Sequence, residues 1–247
     1  MILELDCGNS FIKWRVVTRG EGSRVEAGGV AAAPSEVLSE LSAIRTQVTH
    51  CRLVSVRSES ETRLLVERLC DSLDIKVVCA TPAPSLGEVT NGYADFRRLG
   101  LDRWLAVVAA YHLCHAPCVV IDMGTAVTID LVAEGGRHLG GYITPGMALL
   151  TEQLRTHTKR IFYDAEVARL ALSDTTPGRS TGEAVERGCL KMLCCYIESQ
   201  IVDAAGYLGA RPVIYVTGGD ASLFAEEHQV RSVPDLVFQG LAIACPI

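Results

Sequence analysis

No apolar run in the 247-residue chain is long enough to cross a membrane without a charge or turn residue interrupting it, which argues against a transmembrane protein. Positive charge is not in surplus either: 23 Lys and Arg stand against 29 Asp and Glu, a formal net charge of −6. That balance argues against a nucleic-acid surface as the main partner, although local basic groups around an anionic substrate fit it. The opening Met1-Ile2-Leu3-Glu4-Leu5-Asp6 lacks a basic n-region and is not expected to be a secretory signal. Low-complexity segments are missing, and so is any Gly-x-x-x-x-Gly-Lys-Ser/Thr, which excludes a P-loop. The ten cysteines follow no disulfide framework, and Cys79, Cys118 and Cys195 fall inside apolar runs. Free, largely buried thiols and a cytoplasmic location are therefore expected.

What the chain does have is core material. Hydrophobic residues make up 49% and charged residues 21%, the balance of a globular protein large enough for one large domain or two modest ones. Within it, two similar phrases recur. Asp6-Cys7-Gly8-Asn9-Ser10 follows Ile2-Leu3-Glu4-Leu5, and Asp122-Met123-Gly124-Thr125-Ala126 follows Cys118-Val119-Val120-Ile121. Each sets an Asp at the end of an apolar run, then a Gly turn and a hydroxyl, then a second β-like run. A Gly turn lets backbone N–H groups converge on an anion because no Cβ blocks the approach. The hydroxyl adds a donor, and an Asp can hold Mg²⁺ directly or through water. Lys13, one strand beyond the first turn, offers a cation to a β- or γ-phosphate. Singly, each phrase reads equally as a hairpin with an Asp at its turn. Together they point to a duplicated nucleotide-binding fold with the triphosphate between its halves.

The order of elements supports a duplication. Ile2–Asp6 and Phe11–Val17 read as a hairpin, and Arg24–Ala31 as a third strand. Pro34 opens a helix carrying Val37, Leu38, Leu41 and Ile44 at helical spacing, followed by strand Arg52–Val56, helix Glu61–Leu73 and strand Ile75–Ala80. The second half repeats the order, with strands Val119–Asp122, Ala126–Val132 and His138–Ile143 and a helix from Pro145-Gly146 to about Leu154. A long helix over Thr181–Leu208, strand Pro212–Val216 and a helix over Ser222–Glu227 complete it. The expected fold class is therefore α/β, a duplicated ribonuclease H-like (actin-like ATPase) fold of two β-β-β-α-β-α lobes, residues 1–115 and 116–247. One cluster stands outside this scheme: His112, Cys114, His115 and Cys118. It is read as a packed helix–strand junction, with zinc the alternative, since no second ligand pair occurs at zinc-finger spacing.

The ordered motifs Asp6-x-Gly8-Asn9-Ser10-x-x-Lys13, Gly100-Leu101-Asp102-Arg103, Asp122-x-Gly124-Thr125-Ala126 and Gly140-Gly141-x-Ile143-x-Pro145-Gly146 resemble those of type III pantothenate kinases. These belong to the acetate and sugar kinase/Hsp70/actin superfamily, and the resemblance runs over nearly the whole chain. Ser10 stands where the family often has Thr and keeps the hydroxyl. The resemblance implies ATP-dependent phosphorylation of pantothenate to 4'-phosphopantothenate, the first step of coenzyme A biosynthesis, with Mg²⁺ and K⁺ or NH₄⁺. By the same resemblance Asp102 is the catalytic base, and Gly100, Leu101, Asp102, Arg103, Tyr93 and Thr181 contact pantothenate. Arg103 suits the substrate carboxylate, because a guanidinium offers a fork of donors. Asp6, Gly8, Asn9, Ser10, Lys13, Gly124, Thr125, Gly218 and Gly219 are implied ATP contacts. Asp122 is the implied monovalent-cation ligand, and Asp6 a candidate for Mg²⁺. A homodimer is implied too. Plain structural roles stand beside these: a helix-start pair at Asp102-Arg103, a surface-loop Tyr93, an N-cap at Thr181 and ordinary turn chemistry at Gly218-Gly219. Alternative functions are another small-molecule kinase of the superfamily or a regulator like the Bvg accessory factors.

Overall fold

The computed structural model describes residues 1–20, 23–41, 47–158, 161–174, 176–225 and 230–247. Its contacts divide the chain into two compact units, Met1–Leu113 with Asp235–Ile247, and Cys114–Pro234.

In the first unit, strands β1 (Ile2–Cys7), β2 (Ile12–Val17), β3 (Val25–Ala31), β4 (His50–Ser55) and β5 (Lys76–Cys79) form one sheet in the order β3-β2-β1-β4-β5. The Gly8 turn makes β1 and β2 an antiparallel hairpin that β3 extends, whereas β4 and β5 join in parallel. Parallel neighbours need a crossover, and helices α1 (Pro34–Glu40) and α2 (Glu59–Leu73) lie in the connections. Ser58 starts α2 with a capping box shared with Glu61, and Asp74 ends it in the left-handed region at φ 52°. Leu65 and Leu69 of α2 bury against Leu3, Leu5 and Leu53 of the sheet.

The second unit repeats this plan. Strands β8 (Cys118–Met123), β9 (Ala126–Ala133) and β10 (Arg137–Pro145) form an antiparallel meander, and β11 (Val213–Thr217) and β12 (Arg231–Ser232) add in parallel beside β8. Within its seven-stranded sheet the run β10-β9-β8-β11-β12 repeats the order of the first sheet. Helices α4 (Met147–His157) and α6 (Thr181–Leu208) cover it, with Met147, Val185, Cys189, Leu193 and Ile197 packed among Val119, Ile121, Val127 and Ile129.

The expected strands appear within two residues of their expected bounds. Ile44 and the end of the expected helix Ser222–Glu227 lie outside the described residues, and α7 is described over Ser222–Ala225. Elements with no counterpart in the sequence reading are the short hairpin β6 (Ser85–Leu86) and β7 (Val89–Thr90), strand β12, and helices α5 (Ala165–Ala171) and α8 (Leu236–Ala244), while helix α3 (Leu101–Cys114) is anticipated only at its two ends, Asp102-Arg103 and the His112–Cys118 junction. Helix α3 is buried from Arg103 to Tyr111 with no polar stripe to betray its period. Helix α8 packs on β1 and β4 of the first sheet.

Candidate active site

At the first turn, Asp6, next to last in β1, stands directly opposite Lys13 of β2, so both side chains stand on one face of the sheet. Gly8, Asn9 and Ser10 form the turn itself, with Asn9 and Ser10 exposed. Arg57, just past β4, donates from Nε to the Gly8 carbonyl oxygen at 2.8 Å, and Val56 N donates to the Cys7 carbonyl at 3.1 Å. The turn is thus pinned from β4 by a cation that the sequence reading did not single out. Cys7 is pushed up to about 12, chiefly by burial and then by the Asp6 carboxylate, so it stays a packed thiol rather than a nucleophile.

Helix α3 brings the second group together. Its first turn carries Asp102 and Arg103, and Asp102 Oδ1 accepts the Arg103 N–H at 2.8 Å. A carboxylate at a helix N-terminus is favoured by the unpaired N–H groups there. Arg103 is buried, and its Nη1 donates to the Tyr93 hydroxyl at 3.0 Å while the guanidinium lies 5.8 Å from the Tyr93 ring centroid. Tyr93 is itself fixed by an Asx turn in which Asn91 Oδ1 accepts its N–H at 3.0 Å. Tyr93, Asp102 and Arg103 therefore form one constellation: a carboxylate beside a guanidinium and a phenol that hold each other's geometry. A solvated Arg103 and a free surface Tyr93 do not describe it.

In the second unit, Gly124-Thr125 is a two-residue loop between β8 and β9. Two further turns close on it. Gly146, at the start of α4, donates its N–H to the Thr125 carbonyl at 3.0 Å, and a Cβ there would strike the Gly124 and Thr125 carbonyls. Gly218 has φ 101°, and a Cβ on it would meet Asp122 Oδ1 at 2.5 Å and the Met123 carbonyl oxygen. Asp220 N donates to that same carbonyl at 2.9 Å. Asp122, Gly124, Thr125, Gly218 and Gly219 are thus gathered at one end of the sheet, at the C-terminal ends of β8 and β11. Gly146 belongs with them as a turn that only a glycine can make so close; the quoted Pro145-Gly146 pair was its signal. Asp220 is a further addition, its carboxyl pushed up by partial burial.

The donor set fits the expected ions. Mg²⁺ is ordinarily held by one or two carboxylates, substrate phosphates and water, which Asp6 offers, and a monovalent cation takes oxygen ligands such as the Asp122 carboxylate. Among the described residues no group of three or more His, Cys, Asp or Glu is arranged to hold a metal. Thr181 is the first helical residue of α6 rather than its N-cap. Ser180 caps it instead, accepting the Glu183 N–H at 3.2 Å. Thr181 lines a cavity of about 640 Å³ between α4 and α6, mostly walled by apolar side chains such as Leu150, Leu154, Val185 and Met192. Among the described residues no helix is long and apolar enough to cross a membrane.

Comparison with known proteins adds to this geometry. The model of the type III pantothenate kinase family matches residues 2–203. The type III pantothenate kinase of Pseudomonas savastanoi pv. phaseolicola is 56% identical over 249 residues, covering all of both chains. Among solved structures, a Baf family transcriptional activator from Campylobacter jejuni superposes with a TM-score of 0.59 at 22% identity, over 97% of this chain and 94% of the other. The ethanolamine utilization protein EutJ from Carboxydothermus hydrogenoformans gives 0.56 at 17% identity, over 98% and 89%. At such identities these two likenesses speak for the fold alone, that of the actin-like ATPases, whose internal duplication shows in the five-strand order shared by the two sheets.

Proposed function

The chain belongs to the type III pantothenate kinase family, and from that premise we infer that it transfers the γ-phosphoryl group of ATP to the primary alcohol of pantothenate. The product is 4'-phosphopantothenate, and the reaction opens coenzyme A biosynthesis. The observation that carries the assignment of the acceptor site is the contact of Arg103 with Tyr93 at 3.0 Å, beside Asp102 at the start of α3.

In this reading Asp102 accepts the hydroxyl proton as the phosphoryl group moves. A late transfer of that kind does not require a raised carboxyl pKa. Arg103 meets the pantothenate carboxylate with charge-assisted hydrogen bonds, and Tyr93 keeps the guanidinium in place. Gly100 and Leu101 bring the backbone close to the same substrate, and Thr181 supplies a hydroxyl to it. Asp6, Gly8, Asn9, Ser10, Lys13, Gly124, Thr125, Gly218 and Gly219 serve as ATP contacts, with Lys13 neutralising phosphate charge. Asp6 would hold Mg²⁺ and Asp122 a K⁺ or NH₄⁺ ion, and such ions, when bound, offset charge on the phosphates. The lobes of the duplication are residues 1–115 and 116–247, α8 returning to the first sheet. The enzyme works in the cytoplasm.

ATP consumption by the purified protein is the direct test, with pantothenate, with and without potassium, and with acetate and common sugars as controls. Turnover with pantothenate alone, and stimulated by potassium, is the expected result. Folded protein that consumes no ATP with pantothenate overturns the assignment, and equal turnover without any monovalent cation removes the role given to Asp122.

A homodimer is part of the same proposal, supported by exposed apolar side chains in the second unit: Ile143 on β10, Leu149 on α4, and Met192 and Val202 on α6. Sedimentation at assay concentration is expected to give twice the chain mass. A fully active monomer contradicts it.

A further inference from the structure

The cluster His112, Cys114, His115 and Cys118 has no part in the proposed phosphoryl transfer. Its two cysteines are nevertheless brought together. Helix α3 ends at Cys114, and His115 adopts the left-handed region at φ 46°, which reverses the chain at once. Pro117 then leads into β8, whose first residue is Cys118. Only three residues of this tight junction separate Cys114 from Cys118, close enough for the two thiols to influence each other electrostatically. Cys114 donates to the Ala116 carbonyl oxygen at 3.3 Å. Two groups from the neighbouring strands complete the surroundings: Tyr215 of β11, the strand paired with β8, and Arg231 of β12, which donates to the Tyr215 hydroxyl at 3.2 Å and adds positive charge near Cys114. Cys118 is fully buried and Cys114 is partly open to solvent.

We propose that Cys114 is a peroxide-reactive thiol and Cys118 its resolving partner, the two closing to an intramolecular disulfide.

The electrostatics agree with this division of labour. Cys114 is lowered to about 6, first by the hydrogen bond from Cys118 and then by Ala116, Tyr215 and Arg231, against the opposing effect of burial. That direction favours the thiolate, which is the nucleophile. Cys118 is pushed up by the same hydrogen bond and by its own burial, so it waits as a thiol. In the first step the Cys114 thiolate attacks one oxygen of hydrogen peroxide, the O–O bond breaks, and hydroxide leaves to be protonated to water. Cys114 is oxidised to the sulfenic acid and peroxide is reduced. The negative charge that opposed ionisation of Cys118 is then gone. In the second step the Cys118 sulfur attacks the Cys114 sulfur, the S–O bond breaks, and hydroxide leaves with the Cys118 proton as a second water. Cys79 and Cys195 are exposed yet have no such set of partners, and the Cys79 thiol is pushed up by partial burial.

The test uses the full chain treated with hydrogen peroxide, quenched with iodoacetamide in denaturant, and mapped by mass spectrometry. The tryptic peptide Trp104–Arg137, which holds both cysteines, is expected to lose two hydrogens and to resist alkylation until reduced. In native reduced protein at neutral pH, Cys114 is expected to alkylate about ten-fold faster than Cys195. Cys118→Ser, or Cys118→Ala if the serine disturbs the core, should leave a Cys114 sulfenic acid that dimedone traps. Arg231→Gln should slow alkylation of Cys114. Faster modification of Cys195 or Cys79 than of Cys114, or a Trp104–Arg137 peptide that keeps both hydrogens, overturns the proposal.

Discussion

Asp102→Asn is expected to lower kcat by about 10²–10⁴-fold, the usual worth of a positioned general base, while the KM for pantothenate stays roughly constant. The substitution suits the local geometry. The amide oxygen of Asn can still accept the Arg103 N–H that Asp102 Oδ1 accepts at 2.8 Å, so the helix start is preserved. The Arg103–Tyr93 contact does not involve Asp102 and should survive. What is lost is only the capacity to take a proton. Steady-state kinetics with pantothenate, beside calorimetric titration of pantothenate binding, separates the two effects. The same variant divides an enzyme from a regulator, since a binding-only protein has no use for the base. Turnover retained within a few-fold would remove Asp102 from the mechanism; lost turnover together with lost binding would make it a substrate contact instead.

Much of this arrangement was legible in the chain because the signals are local. The two Asp-x-Gly phrases, the Gly8 and Gly124 turns and the period-two runs around them are all read within about ten residues, and both hairpins appear where those runs place them. The five-strand order shared by the two sheets is what the repeated order of elements implied. Helix α3 escaped because it is apolar all round: Trp104 through Ala110 are buried without exception, so no amphipathic stripe marks the helix. Arg57 escaped for another reason. Its hydrogen bond to the Gly8 carbonyl joins residues 49 apart, and no local pattern announces such a contact. Thr181 shows a smaller limit: one residue decides whether a hydroxyl caps a helix or begins it, and Ser180 takes the cap.

Glu4 is a residue whose setting its own neighbourhood does not reveal, and it carries the largest expected effect on stability. In Ile2-Leu3-Glu4-Leu5-Asp6 it looks like the polar face of a half-buried strand. Helix α8, more than two hundred residues later, covers that face, and Glu4 is fully buried. The register explains how a carboxylate survives there: Glu4 stands opposite Arg15 on β2 and opposite Arg52 on β4. Arg52 Nε lies 2.5 Å from Glu4 Oε1, and Arg15 Nε pairs with Glu4 Oε2. Arg15 also binds Asp235 at 2.7 Å and lies over the Phe238 ring, while Arg52 donates to the Cys245 carbonyl at 3.3 Å. Two cations thus share one anion shielded from water, and Arg15 alone has a second carboxylate in Asp235. Glu4→Ala leaves the buried Arg52 without its carboxylate and weakens the hold on Arg15, and is expected to cost about 3–5 kcal/mol, the range for removing one member of a buried pair. Burial of the intact triad carries its own desolvation penalty, so Glu4→Met with Arg15→Leu and Arg52→Met should restore most of the loss or exceed the native stability. Urea unfolding followed by tryptophan fluorescence reads this cleanly, because Trp14 and Trp104, the only tryptophans, are both buried in the first unit. A Glu4→Ala cost below about 1 kcal/mol would mean that the arginines reach water, and the triad would be no more than a surface pair.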